Sequence, residues 1–420
     1  MTPETVVLVV GVVAAAYMAW NIGANDVANA MGTSVGSGAL TLVGAVVLAG
    51  IFEFAGATLV GTHVTETVRK GILSTAAFST AGPLGADAPR VLMQGMVAAL
   101  AAAGVWLQIA TTFGLPVSTT HSIIGALVGF ALVAVDGSAV AWGTVGKVAA
   151  SWVLSPVLGG VIAAGMFVWV SRGVLRDDDP VEATARLGPH MIALVIFILV
   201  LSIVYKALGN VIEDPRWWVV AGVAALIAGL GWALSRYLLR RTSPAAGTDP
   251  YPYVERIFGR LQIVTACFVA FAHGANDVAN AVGPVAAVVQ IHELGELPAQ
   301  VPVPMWILVL GGTGIVIGLA TWGYKVIRTV GGAITELTPT RGFSAEFGAA
   351  TTVLMASRLG MPVSTTHTLV GAVIGVGMAR GMAALNLRMV GRIVNSWIVT
   401  LPVAGAFSAA FYLLLRWLVG

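Results

Sequence analysis

Charge is what this sequence has least of. Only 10% of its 420 residues are Asp, Glu, Lys or Arg, where a soluble domain carries roughly 25%. That shortage excludes an ordinary water-soluble chain. With 58% hydrophobic residues and a mean hydropathy of +0.91, the composition is that of a polytopic membrane protein. Cysteine is nearly absent: Cys267 is the single one, which excludes an intrachain disulfide and a cysteine metal cluster. The chain also lacks a basic opening segment. Residues 1–20 are apolar and carry Glu4, so they read as a first membrane helix and not as a cleaved signal peptide. The small net charge of +3 is the basic bias of cytoplasmic loops, not the mark of a nucleic-acid partner. Glycine, in contrast, is abundant at 51 residues, as expected where helices pack closely in lipid.

Two polar motifs interrupt the apolar sequence, and each occurs twice. G-A-N-D-V-A-N-A stands at residues 23–30 and again, residue for residue, at 274–281. P-V-S-T-T-H stands at 116–121 and again at 362–367. The first pair is offset by 251 residues and the second by 246, the difference falling in unequal loops such as 292–304. Duplicated polar breaks in matching order are the sequence pointer to a transporter site between two repeats. The spacing predicts an all-α fold of two inverted-topology repeats, with broken helices and re-entrant helical hairpins, plus two central helices. Repeat 1 covers residues 1–171 and repeat 2 covers 254–420. Linkers at 172–188 and 240–253 flank the central helices of 189–239. Arg172, Arg176 and Arg186 sit in or beside the first linker, and Arg236, Arg240, Arg241, Arg256 and Arg260 surround the second. Counting Lys and Arg places both linkers in the cytoplasm of a cell-membrane protein and both termini on the extracytoplasmic side.

Asp26 and Asp277 lie at membrane depth, where an ionised carboxylate costs several kcal/mol unless paired. With the amides of Asn25, Asn29, Asn276 and Asn280 near them, they offer hard oxygen ligands suited to Na⁺ or a proton, Asn29 and Asn280 assisting the cation while Asn25 and Asn276 are expected to bind phosphate, and the motifs hold no soft ligand for zinc or copper. The plainer reading, in which Asn and Asp only bridge adjacent helices, accounts poorly for two copies in matching contexts. Pro116 and Pro362 suit a first helical turn. Ser118, Thr119 and Thr120, with Ser364, Thr365 and Thr366, then present hydroxyls and free N–H groups at two helix N-termini, which attract oxyanions. Ordinary capping explains one such tip, and two facing tips favour a shared site. A divalent phosphate and two aspartates sum to four negative charges, against about one positive charge from two helix ends. The anion is therefore repelled unless cations enter with it. His121 and His367 follow the tips and cap, contact the anion or carry a proton. Glu53 and Glu346 are intramembrane carboxylates that are not repeat mates and read as functional. A membrane hydrolase built on Ser, His and Asp is the first rival, disfavoured because a triad needs one asymmetric set and here every member is duplicated. A channel is the second.

With F-E-F-A-G at 52–56 and G-F-S-A-E-F at 342–347 added to the paired motifs, the chain resembles the inorganic phosphate transporter (PiT) family over both repeats. The resemblance implies cation-coupled phosphate uptake without an enzymatic cofactor, an inverted-repeat fold in the lipid bilayer and a homodimer. It implies that Asp26 and Asp277 hold the coupling ion, Na⁺ or alternatively H⁺, and that Glu53 and Glu346 are transport-critical. Some bacterial relatives move sulfate, which is the alternative substrate. The long central domain of the animal relatives is missing here.

Overall fold

The computed structural model describes residues 2–61, 71–74, 76–207, 216–242, 248–296, 303–358 and 363–419, together with the backbone but not the side chain of Asn29. Nearly all of these residues are helical, and the one strand-like contact among them is an isolated bridge between Leu73 and Val140. Nine helical stretches among the described residues are long and apolar enough to cross a membrane. The chain is an all-α polytopic membrane protein.

The first six helices form one repeat: α1 (Pro3–Asp26), α2 (Ala28–Gly36), α3 (Leu42–Val60), α4 (Ala88–Thr112), α5 (Thr119–Ala134) and α6 (Trp142–Val170). The central pair is α7 (Pro180–Ser202) and α8 (Trp217–Arg241), packed on each other. The second repeat comprises α9 (Tyr251–Leu294), α10 (Met305–Trp322), the short α11 (Tyr324–Arg328), α12 (Pro339–Arg358), α13 (Thr365–Arg380) and α14 (Leu387–Val419).

Two details of the helices stand out. Within 172–188, helix resumes at Pro180. Asp179 accepts the N–H groups of Val181 and Glu182, and Pro180 fills the first turn, a strong helix start. The helix break at G-A-N-D occurs in one copy only. Val27 separates α1 from α2, whereas α9 runs unbroken for 44 residues through Asp277. The charged segment 62–70 and Pro362 lie outside the described residues.

The repeats are not side by side; they exchange partners. Helix α1 packs on α10 while α9 packs on α3, and α5 packs on α14 while α13 packs on α6. Within each repeat α1 lies against α4 and α9 against α12. This reciprocity is what a two-fold relation between the halves requires. Small residues make it possible. A Cβ on Gly129 of α5 would fall on the carbonyl oxygen of Gly405 in α14, and one on Gly375 of α13 would fall on that of Gly160 in α6. Gly129 and Gly375 are repeat mates, at the same 246-residue offset as the P-V-S-T-T-H tips, and their partners Gly160 and Gly405 are offset by 245. Association of helices in lipid depends on such close backbone approach.

Gly375→Ala is therefore expected to destabilise the protein by about 1–3 kcal/mol through overpacking against backbone. Gly229→Ala in α8, with open space around it, serves as control and should leave the melting temperature unchanged or slightly raised. Thermal unfolding in detergent checks both. Equal melting of Gly375→Ala and the parent would refute the close-packing role.

Candidate functional site

The two G-A-N-D arms reach the centre because their glycines admit neighbouring backbone. A side chain on Gly23 would collide with the carbonyl of Ile315 in α10, and one on Gly274 with the carbonyl of Glu53 in α3. These close crossings bring Asp26, at the end of α1, and Asp277, in the middle of α9, into one buried region, with only 1% and 2% of their surfaces exposed.

Each tip is built alike. Ser118 and Ser364 are N-caps whose side-chain oxygens accept the N–H of His121 and His367, both at 3.2 Å. The serine oxygens thus serve their own helices. The threonines point inward. Thr119 donates its hydroxyl to Oδ2 of Asp26 at 2.7 Å, and Thr366 of the other repeat donates to Oδ1 of the same carboxylate at 2.5 Å. Both tips therefore meet at Asp26. Asn280 approaches from α9 and donates to the hydroxyls of Thr119 and Thr120 at 3.3 and 3.2 Å. Thr120 and Thr365 remain half-buried.

Asn25, expected to bind phosphate, is hydrogen-bonded to the first tip in this structure. Its amide donates to Thr111 and to the carbonyl of Leu115, and its oxygen accepts the N–H of Val117. It holds the chain leading into the first tip. Its repeat mate Asn276 instead donates to Asp277 at 2.8 Å. Trp397 of α14 donates to the carbonyl of Pro116 and stacks on His367, ring centroids 3.8 Å apart. His121 and His367 face each other edge to face at 4.7 Å, both buried.

The residue that sequence reasoning missed is His273. It directly precedes the second G-A-N-D, where the first copy has Ile22. Its Nδ1 lies 2.9 Å from both oxygens of Glu53, and its Nε2 lies 2.7 Å from Oδ2 of Asp277 and 3.7 Å from Oδ2 of Asp26. One imidazole thus joins three carboxylates, all essentially without solvent contact. A signal was present: a lone histidine inside an apolar span is costly and so functional by default. A cavity of about 40 Å³ adjoins it, lined by His273, Thr365, Ser202 and apolar side chains of α9, α12 and α13. That is room for water.

Glu346 sits in α12 and is held by neutral donors only. Thr33 and Ser34 of α2 and Gln262 of α9 donate to one oxygen, and Thr265 of α9 donates to the other. It ties the two G-A-N-D arms to α12. Gln262 and Thr265 had gone unremarked among apolar neighbours. Asn29 has a described backbone but no described side chain.

Chemically, the centre offers carboxylate, hydroxyl and amide oxygens around a water-poor point, the ligand set of a small hard cation. It also offers two helix N-termini with hydroxyls, the donor set of an oxyanion. Asp26, His273 and Asp277 have ligand atoms close enough to share one ion.

The chain is similar throughout its length to proteins named for phosphate transport. The phosphate transporter family model matches residues 22–408. The "Putative phosphate permease" of Pyrococcus furiosus is 48% identical over 99% of this chain and 97% of its own length. "Inorganic phosphate transporter 2-1, chloroplastic" of Arabidopsis thaliana is 46% identical over 94% of this chain and 70% of its own. A solved structure, "The sodium-dependent phosphate transporter", superposes with a TM-score of 0.86 at 42% identity, covering 98% of this chain and 99% of that one. The relatives are transporters and not enzymes, and the chain belongs to the phosphate transporter family.

Proposed function

We propose that this protein is a sodium-coupled inorganic phosphate symporter working by alternating access, with one anion site between the two tips and cations at Asp26 and Asp277. The observation that carries the reading is the convergence of Thr119 and Thr366, from opposite repeats, on the single carboxylate of Asp26. Hydroxyls that reach one point from two helix N-termini are placed to turn from the carboxylate to an anion. The carboxylates beside them repel that anion unless a cation intervenes, so binding of the two is mutually dependent. His273 supplies at most one positive charge among three carboxylates, so the deficit persists and the need for added cations with it. Asn280 assists by fixing the first tip against the second G-A-N-D arm. Asn25 and Trp397 position the same tip from outside. Glu53 acts through His273, and Glu346 through the α2 and α9 hydroxyls and amide it gathers. The name of the structural relative favours Na⁺ over H⁺ and phosphate over sulfate.

Uptake of radiolabelled phosphate into proteoliposomes, with sodium and proton gradients imposed separately, tests this. A sodium gradient alone is expected to drive accumulation, and excess unlabelled sulfate is expected to compete far less than unlabelled phosphate. Uptake that follows only a pH gradient would replace Na⁺ by protons at the same aspartates, and equal competition by sulfate would remove the selectivity.

Ala at Thr120 or Thr366 should weaken phosphate binding about tenfold or more, since a hydroxyl bond to a charged group is worth about 1.5–3 kcal/mol. Equilibrium binding measures this, and unchanged affinity in both variants would refute the arrangement.

Asp26→Asn and Asp277→Asn each remove one negative charge at constant shape. Both are expected to lower the Hill slope for sodium and abolish concentrative uptake. Wild-type sodium dependence in both variants would overturn the cation assignment.

A further inference from the structure

The strongest unassigned feature lies far from the central site. Helix α13 begins at the second tip and ends at Arg380, about 22 Å away at 1.5 Å per residue. There a surface pocket of about 290 Å³ lies between the ends of α6 and α13, lined by Arg172, Arg176 and Arg380 together with Ser171 and the apolar Phe167 and Val168. Aromatic residues mark the level as a membrane–water boundary. Trp169 is 38% exposed, and exposed Tyr251 donates its hydroxyl to the carbonyl of Leu175 in the same turn.

Most of the local acids are already engaged, and exposed Asp178 is the exception. Asp177 pairs with Arg186 at 2.9 Å, and Asp179 caps α7. Glu336 takes Arg341 and Arg380 at 3.4 and 3.3 Å. Arg172 and Arg176, both exposed, make no hydrogen bond or ion pair among the described residues. The bland account, arginines neutralising carbonyls at helix ends, fits Arg380, which donates to the carbonyl of Glu336. It does not fit the other two. Two unpaired guanidinium groups over an apolar wall match a phosphate ester, which accepts their forked donors, next to a hydrocarbon chain.

We propose that this pocket binds a phosphate group at the membrane surface, separate from the transport site, with an anionic phospholipid headgroup as its ordinary source. Basic pockets between membrane helices take such headgroups.

The test titrates the purified full-length protein, in zwitterionic detergent, with phosphatidylglycerol, phosphatidylcholine and inorganic phosphate in turn. Native mass spectrometry counts the lipids and equilibrium dialysis the phosphate. Phosphatidylglycerol should bind more tightly than phosphatidylcholine. Arg172→Gln with Arg176→Gln should weaken it about thirtyfold, from roughly fivefold per basic residue near the surface. Phosphate uptake into phosphatidylcholine vesicles should stay unchanged, since neither residue belongs to the transport site. The double lysine variant should keep most of the lipid affinity. Should the double glutamine protein not fold, each single variant carries the same test at about fivefold. Loss of a second inorganic-phosphate site with unaltered lipid binding would assign the pocket to free phosphate. Equal binding of both probes by parent and variant would overturn the proposal.

Discussion

Three carboxylates and one imidazole share a region from which water is nearly excluded, and much of the structure exists to make that tolerable. Asp26, Asp277 and Glu53 repel one another when ionised, in a medium that screens them weakly. His273 lies within 2.9 Å of Glu53 and 2.7 Å of Asp277, and two threonine hydroxyls donate to Asp26. None of these partners comes from the same turn as the group it serves, apart from His273 and Asp277 on one face of α9. The charges are therefore compensated only when the helices are assembled. A site of this kind is held together by packing and in turn makes incorrect packing costly.

The packing that assembles it is reciprocal. Each repeat places its first helix against the second long helix of the other, and each tip helix against the closing helix of the other. Neither repeat can complete the site alone, because Thr119 and Thr366 arrive from different halves. The glycine contacts between α5 and α14 and between α13 and α6 let these helices of opposite halves meet backbone to backbone.

The halves are nevertheless unequal at the centre. Helix α9 passes straight through its motif while α1 breaks after Asp26. The break frees α2 to carry Thr33 and Ser34 to Glu346. Asn25 braces a tip, and its mate Asn276 touches Asp277. Histidine stands at 273 but isoleucine at 22. Repeated motifs thus make different contacts in the two halves.

The sequence by itself determined the membrane class, the duplication, the two tips and the pair of aspartates. These are local or repeated signals: hydropathy needs only composition, and a polar motif in an apolar run is visible wherever it falls. Even the interlocking contacts left a trace, since Gly129 and Gly375 keep the 246-residue offset of the tips. Only the tertiary structure decided that Asp26 would receive both tips, that Asn25 would brace a loop, and that Glu53 and His273 would meet. Those pairs lie 220 to 340 residues apart along the chain, save for Asn25 and Thr119 at about 90. Contacts at such separations are set by how helices cross, and no periodicity or spacing within one helix encodes the crossing.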